Sequence, residues 1–273
     1  EYERANDLWE ESYQIAEELG NERERCVTAW CVGIGLLGFD LDAGLKRTVE
    51  GIERSEATGF EWAQGFTLTV DGILRSVAGD LEASRARYSR ALEIQQRLGD
   101  QEGAGLSLGG LAGLAAGSGD LAVALDLYGQ ALAAFQTIGD RAEEARILDE
   151  TAWTYLRNQD PTQARRSFLD AVRAYTDIMS VRGIGLSLIG LAATEFVEHR
   201  PERAVQLAAT AEVYAHEEGI VNVYSEETPG RNLIEQARAA LSDEEVARAT
   251  ELGRRLTIAQ ALDLARVGDA TPV

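Results

Sequence analysis

The chain has 273 residues, 45% of them hydrophobic, and a net charge of −20 from 46 acidic and 26 basic side chains. That length and apolar content can sustain one long repeat array or two compact domains. The acidic surface argues against nucleic acid and anionic membrane as direct partners, because phosphates repel it. No apolar run reads as a membrane span. Cys26 and Cys31 lie five apart on one expected helix and point in different directions, so they read as packed thiols of a reducing cytoplasm.

Residues 3–19 predict a first helix, marked by Ala5, Trp9, Ser12 and the following Gly20. Beyond it, punctuation returns with a 40-residue period: Phe39-Asp40, Gly79-Asp80, Gly119-Asp120, Gln159-Asp160 and His199-Arg200. A second mark falls midway, at Gly59, Gly99, Gly139, Met179 and Gly219. A fixed period in this range signals stacked supersecondary units.

The segments 21–40, 61–80, 101–120, 141–160 and 181–200 form one series, here called A helices. Their eighth positions read Thr28, Leu68, Leu108, Leu148 and Leu188, and their twelfth Val32, Gly72, Ala112, Ala152 and Ala192. The segments 41–60, 81–100, 121–140, 161–180 and 201–220 form the second, B series. At their fourth positions stand Gly44, Ser84, Ala124, Ala164 and Ala204. The eighth positions carry Thr48, Tyr88, Tyr128, Phe168 and Ala208, and the eleventh Gly51, Ala91, Ala131, Ala171 and Ala211. Small, aromatic and small residues at this spacing make one helical stripe that lets a neighbouring helix approach while the ring fills the space between. Residues 1–20 fit the B template with a one-residue slip, so the first helix lacks an A partner in front of it. Gly105, Gly109, Gly110 and Gly113 each cost about 1 kcal/mol relative to Ala inside a helix. Close helix packing explains them, and room for a ligand is the alternative.

Past residue 219 the pattern stops. Residues 220–229 read as a loop, followed by short helices over Gly230–Leu241, 243–253 and 258–266. Ser242-Asp243-Glu244-Glu245 and Thr257-Ile258-Ala259-Gln260 have the form of capping boxes. Apolar residues including Leu233, Ile234, Val246 and Leu262 would cover the last repeat, so residues 220–273 read as a cap.

The order Leu108, Leu111, Ala112, Gly119, Ala124, Tyr128, Ala131 resembles the tetratricopeptide repeat, with helices longer than that family's usual ones. The resemblance covers residues 1–219 and implies an all-α fold, a right-handed α-α superhelix of tetratricopeptide type. The tail, Leu241–Glu245, Gly253–Thr257 and Ala261–Ala265, together with Ala204–Glu212, resembles the C-terminal end of bacterial STAND-ATPase transcriptional regulators. Those proteins join a LuxR-type, SARP-type or cyclase effector domain to an ATPase and a repeat array. This resemblance implies a sensor region whose partners include the ATPase and effector domains of a longer chain. The ATPase and effector signatures themselves are absent: there is no GxxxxGK[ST] and no basic recognition helix.

No catalytic, metal or cofactor constellation can be assembled. His199 and His216 lie in different repeats beside acidic neighbours, and Glu10-Glu11, Glu17-Glu18 and Glu143-Glu144 read as solvated faces. The glycine clusters at 103–119 and 183–185 lack the preceding strand that a phosphate loop needs. In the tetratricopeptide family the A helices line a concave groove. The positions expected to face it include Phe66, Thr69, Ile73, Leu106, Arg146, Asp149, Trp153, Leu186, Ile189 and Phe196, with Arg157 alongside. This is an apolar trough with one polar island, Arg146-Asp149-Arg157, around Trp153. It lacks the Asn and Lys residues with which such domains clamp peptide carboxylates. A partner protein segment or a small effector fits it, and so does burial of the same residues against each other. Function therefore reads as non-catalytic binding, either as a regulator's sensor region or as a free-standing scaffold. A homodimer through the unpaired first helix is a further possibility.

Overall fold

The computed structural model describes residues 2–217 and 230–266, and these contain 14 helices and no strand. The chain forms two compact units, Glu1–Ile138 and Gly139–Val273.

The first unit holds α1 (Tyr2–Glu18), α2 (Glu22–Gly35), α3 (Leu41–Thr58), α4 (Glu61–Val77), α5 (Leu81–Leu98), α6 (Gln101–Gly117) and α7 (Leu121–Ile138). Each helix packs on the next, and the A helices α2, α4 and α6 also touch in succession. The second unit holds α8 (Arg141–Arg157), α9 (Pro161–Asp177), α10 (Val181–Val197) and α11 (Pro201–Glu217), then α12 (Arg231–Ala239), α13 (Asp243–Arg254) and α14 (Ile258–Arg266). This is the all-α class of stacked helix pairs that the 40-residue period implies, and it agrees with the resemblance to the tetratricopeptide repeat.

The punctuation works through two adjacent residues. Gly99 ends α5 at φ 70°, a left-handed conformation that a side chain would resist. Asp100 then caps α6, its carboxylate accepting the Gly103 N–H at 3.0 Å. Asp40, Asp80 and Asp160 cap α3, α5 and α9 in the same way. Where the glycine has been replaced, the backbone keeps its shape: Gln159, Met179 and His199 stand at φ 57°, 53° and 62°.

The small–aromatic–small stripe joins three helices at once. The Tyr88 ring of α5 lies between α4 and α6. A Cβ at Gly72 would come within 2.9 Å of it, and one at Gly110 within 2.4 Å. Phe168 of α9 does the same against Gly190 of α10, and stacks edge-on with Trp153 of α8 at 5.2 Å. Gly105 accommodates Phe135. Gly105 and Gly110 therefore serve helix packing, and the space beside them is filled by rings. The first unit also buries a polar cluster in which the Thr69 and Ser107 hydroxyls bond each other at 2.9 Å beside Gln95.

Among the described residues one helix, α7, is long and apolar enough to cross a membrane by length and composition, contrary to the reading of the sequence. It buries Ala124, Tyr128, Ala131, Ala134 and Phe135 and packs on α6. Four of the paired glutamates are engaged, Glu10 with Arg47, Glu17 with Arg25, Glu143 with Arg146 and Glu144 with Arg141, while Glu11 and Glu18 have no ion pair among the described residues. Both cysteines are free. Burial raises both thiols, that of Cys31 to about 11.

The C-terminal helices pack onto the last A/B pair. Helix α12 meets α10 and α11, and α13 and α14 meet α11. Ser242 and Glu245 form a reciprocal capping box at α13, and Thr257 and Gln260 form another at α14. Helix α13 approaches α11 so closely that a Cβ at Gly253 would lie 2.2 Å from the Gln206 carbonyl, and Thr210 donates to the Gly253 carbonyl at 2.9 Å. The expected loop at 220–229 lies outside the described residues.

Candidate ligand-binding cleft

Helix α8 projects Arg146, Asp149, Trp153 and Arg157 along one side, at intervals of three and four residues. Together with Glu150, Tyr175 of α9, Leu186 of α10 and Gly230 before α12, they enclose a cleft of about 510 Å³. The cleft lies wholly within the second unit.

Its floor is aromatic and apolar. Trp153 is half-buried, backed by Phe168 and approached by the Gly230 backbone, where a Cβ would stand 2.4 Å from the indole. Gly230, at φ 83°, is the residue type that both the backbone conformation and this approach require.

Asp149 is the chemically distinctive group. It accepts a hydrogen bond from the Ser187 hydroxyl at 2.6 Å and another from the Trp153 side chain. Burial nevertheless outweighs these bonds and pushes its carboxyl up to about 7, with Glu150 adding like-charge repulsion. Burial also raises the Tyr175 phenol, reinforced by the negative charge of Asp149. Arg146 is tied to Glu143 at 2.7 Å. Arg157 is exposed, bonds the Thr154 hydroxyl at 3.3 Å, and has no ion pair among the described residues. The cleft thus offers a ring face, a carboxyl that accepts hydrogen bonds, and a cation at the rim.

Of the residues read from the sequence as groove-facing, Arg146, Asp149, Trp153, Arg157 and Leu186 converge here. Ile189 is fully buried in a core shared with Ile234, Ala261 and Ala265 of the C-terminal helices. Phe196 packs on Ala204, Val205, Ala237 and Ala249. In the first unit, Phe66 is buried against Trp30 and Trp62, and Thr69 belongs to the polar cluster with Ser107. Ile73 packs half-buried beside Tyr88, Leu111 and Leu114, and Leu106 is half-buried. Sequence reasoning missed Glu150, Tyr175 and Gly230. Tyr175 had one available signal, the glycine opposite it: a Cβ at Gly183 would lie 2.3 Å from its ring. Among the described residues no group of three His, Cys, Asp or Glu side chains could hold a metal ion.

Residues 72–137 match the profile of the tetratricopeptide repeat family. That stretch is a tetratricopeptide-like repeat region. No curated protein matches the chain. Among solved structures, BtubC (BKLC) from P. vanneervenii is similar in fold, with a TM-score of 0.68 over 80% of this chain and 92% of that one, at 16% identity. The likeness shows a helical solenoid fold, and repeats of the family matched over residues 72–137 are generically non-catalytic scaffolds.

Proposed function

We propose that this protein is a scaffold that binds a segment of a partner protein in the cleft around Trp153. The observation that carries the reading is the convergence of Asp149, Trp153 and Arg157 from one helix with Tyr175 and Leu186 in a space of about 510 Å³. An apolar partner side chain fits against the indole and Leu186. Partner N–H groups meet Asp149, and a partner carbonyl or carboxylate meets Arg157. Wild-type protein and the variants Trp153→Ala and Arg157→Ala, immobilised side by side, test this. A protein retained from extract by the wild type and lost from both variants supports the cleft. Equal retention by all three places the partner elsewhere.

A second reading is the sensor region of a larger cytoplasmic regulator, with a small effector in the same cleft. It is supported by the tail motif at Leu241–Glu245 and Gly253–Thr257. A change in tryptophan emission caused by the small-molecule fraction of an extract, and lost in Trp153→Phe, would favour it over the scaffold. A response from the protein fraction alone would reject it.

A further inference from the structure

Helix α8 sets its charges in a fixed order along the cleft. Asp149 and Glu150 come first, Trp153 stands about one turn further on, and Arg157 one turn beyond that. At the helical rise, about 4–6 Å separates the carboxylate positions from the ring, and about 12 Å separates Asp149 from Arg157. The cleft therefore has distinct acidic and basic ends, with the indole between them.

The acidic end holds no cation of its own. Neither Asp149 nor Glu150 forms an ion pair among the described residues. Arg146, on the preceding turn, is held by Glu143 at 2.7 Å. All 26 lysine and arginine side chains of the sequence lie among the described residues, because residues 1, 218–229 and 267–273 contain neither type. None of the 26 is brought to either carboxylate.

Tyr175 of α9 reports the field at this end. Burial raises its phenol first, and Asp149, Glu143 and Glu150 each hold the proton on, opposed by Arg146. Asp149 accepts from the Ser187 hydroxyl at 2.6 Å and from the Trp153 side chain, both neutral donors. A carboxylate offers about four acceptor sites, so capacity remains for a charged donor.

Two unpaired carboxylates one turn from a half-buried indole and Leu186 suit one class of group, a cation on an apolar stem. Lysine and arginine are built this way: their methylenes lie along apolar surface while the charged head stays among polar groups. Such a stem spans the single turn between Trp153 and the carboxylates.

We propose that the acidic end of the cleft is a receptor for a lysine or arginine side chain, its stem on Trp153 and Leu186 and its charged head between Asp149 and Glu150. The inference rests on the reading of the cleft as the seat of a partner segment, and it names the residue that anchors that segment.

Nα-acetyl-lysine amide and Nα-acetyl-norleucine amide serve as probes, since they share a stem and differ in charge. The readout is the indole N–H resonance of Trp153 in the full 273-residue chain, assigned by its loss in Trp153→Phe. The lysine probe should bind about three- to tenfold tighter than the norleucine probe, as a charge-assisted contact open to water allows. High salt should shrink that preference. Asp149→Asn combined with Glu150→Gln should bring the lysine probe to the norleucine level and leave norleucine binding unchanged. Equal binding of the two probes by the wild type overturns the inference, as does a preference that survives the double variant or an indole that responds to neither probe. The cleft itself is judged separately: a protein retained from extract by the wild type, lost from Trp153→Ala and kept by the double variant preserves the cleft reading and rejects the cation.

Discussion

Arg165 and Glu195 form an ion pair with both side chains 0% exposed. Arg165 belongs to α9 and Glu195 to α10. The same guanidinium donates to the Ala265 carbonyl at 2.6 Å, at the C-terminal end of α14, and also pairs with Glu198. One cation therefore ties two repeat helices to the last helix, at an end where the helix dipole favours positive charge. Removing either partner strips the other buried charge of one pairing, Glu195 keeping Arg200 and Arg165 keeping Glu198, so the cost should stay below the about 3–5 kcal/mol of a fully uncompensated charge. Arg165→Leu and Glu195→Leu should each lower the unfolding free energy measured in urea by up to that amount, and the double variant should lose less than their sum. Hydrogen exchange of α14 should accelerate in Arg165→Leu.

Gly110→Ala should destabilise the first unit even though alanine favours a helix by about 1 kcal/mol. Its methyl group would stand 2.4 Å from the Tyr88 ring. Overpacking of this kind costs about 1–3 kcal/mol. Thermal unfolding should show a lowered Tm in Gly110→Ala, and partial recovery when Tyr88→Leu is added.

Met179→Gly should stabilise the protein. Met179 is 85% exposed, so little packing is lost, and it holds φ at 53°. The left-handed conformation costs a side-chain-bearing residue roughly 1–2 kcal/mol, partly offset by the extra freedom glycine gives the unfolded chain. The expected gain is about 0.5–1 kcal/mol in denaturant unfolding. Gly99→Ala, at φ 70°, should show the opposite sign.

Asp149 should make stability depend on pH. Its carboxyl is raised to about 7 in the folded protein, against roughly 3.9 in an unfolded chain. The native state therefore holds a proton that the unfolded chain releases. The contribution is complete below about pH 4 and is lost as pH rises through about 7. Relative to wild type, Asp149→Asn should gain stability between pH 5 and pH 8. The gain should be on the order of 2 kcal/mol, below the full shift because the cleft is open to water. Urea titrations at the two pH values measure it; parallel behaviour of the two proteins would exclude this role for Asp149.

The repeat was legible in the sequence because its physical requirements are local. A left-handed turn favours glycine, a helix start favours aspartate, and a ring between two helices requires small neighbours. Gly99-Asp100 and the Gly72–Tyr88–Gly110 clasp each meet such a requirement within one period. The cleft was legible only along α8, where Arg146, Asp149, Trp153 and Arg157 share one helical side.

Helical periodicity identifies which residues share a face; it does not identify what comes to cover that face. Sequence alone therefore determined the helices, their order and the small–aromatic stripe that joins them. Tertiary structure alone decided that Ile189 is sealed by the C-terminal helices while Trp153 borders a cleft. It also brought Tyr175 and Gly230 to Trp153 and set Asp149 deep enough for burial to govern its proton. These outcomes depend on contacts between segments far apart in the chain, where burial and desolvation set the energies and no local pattern records them.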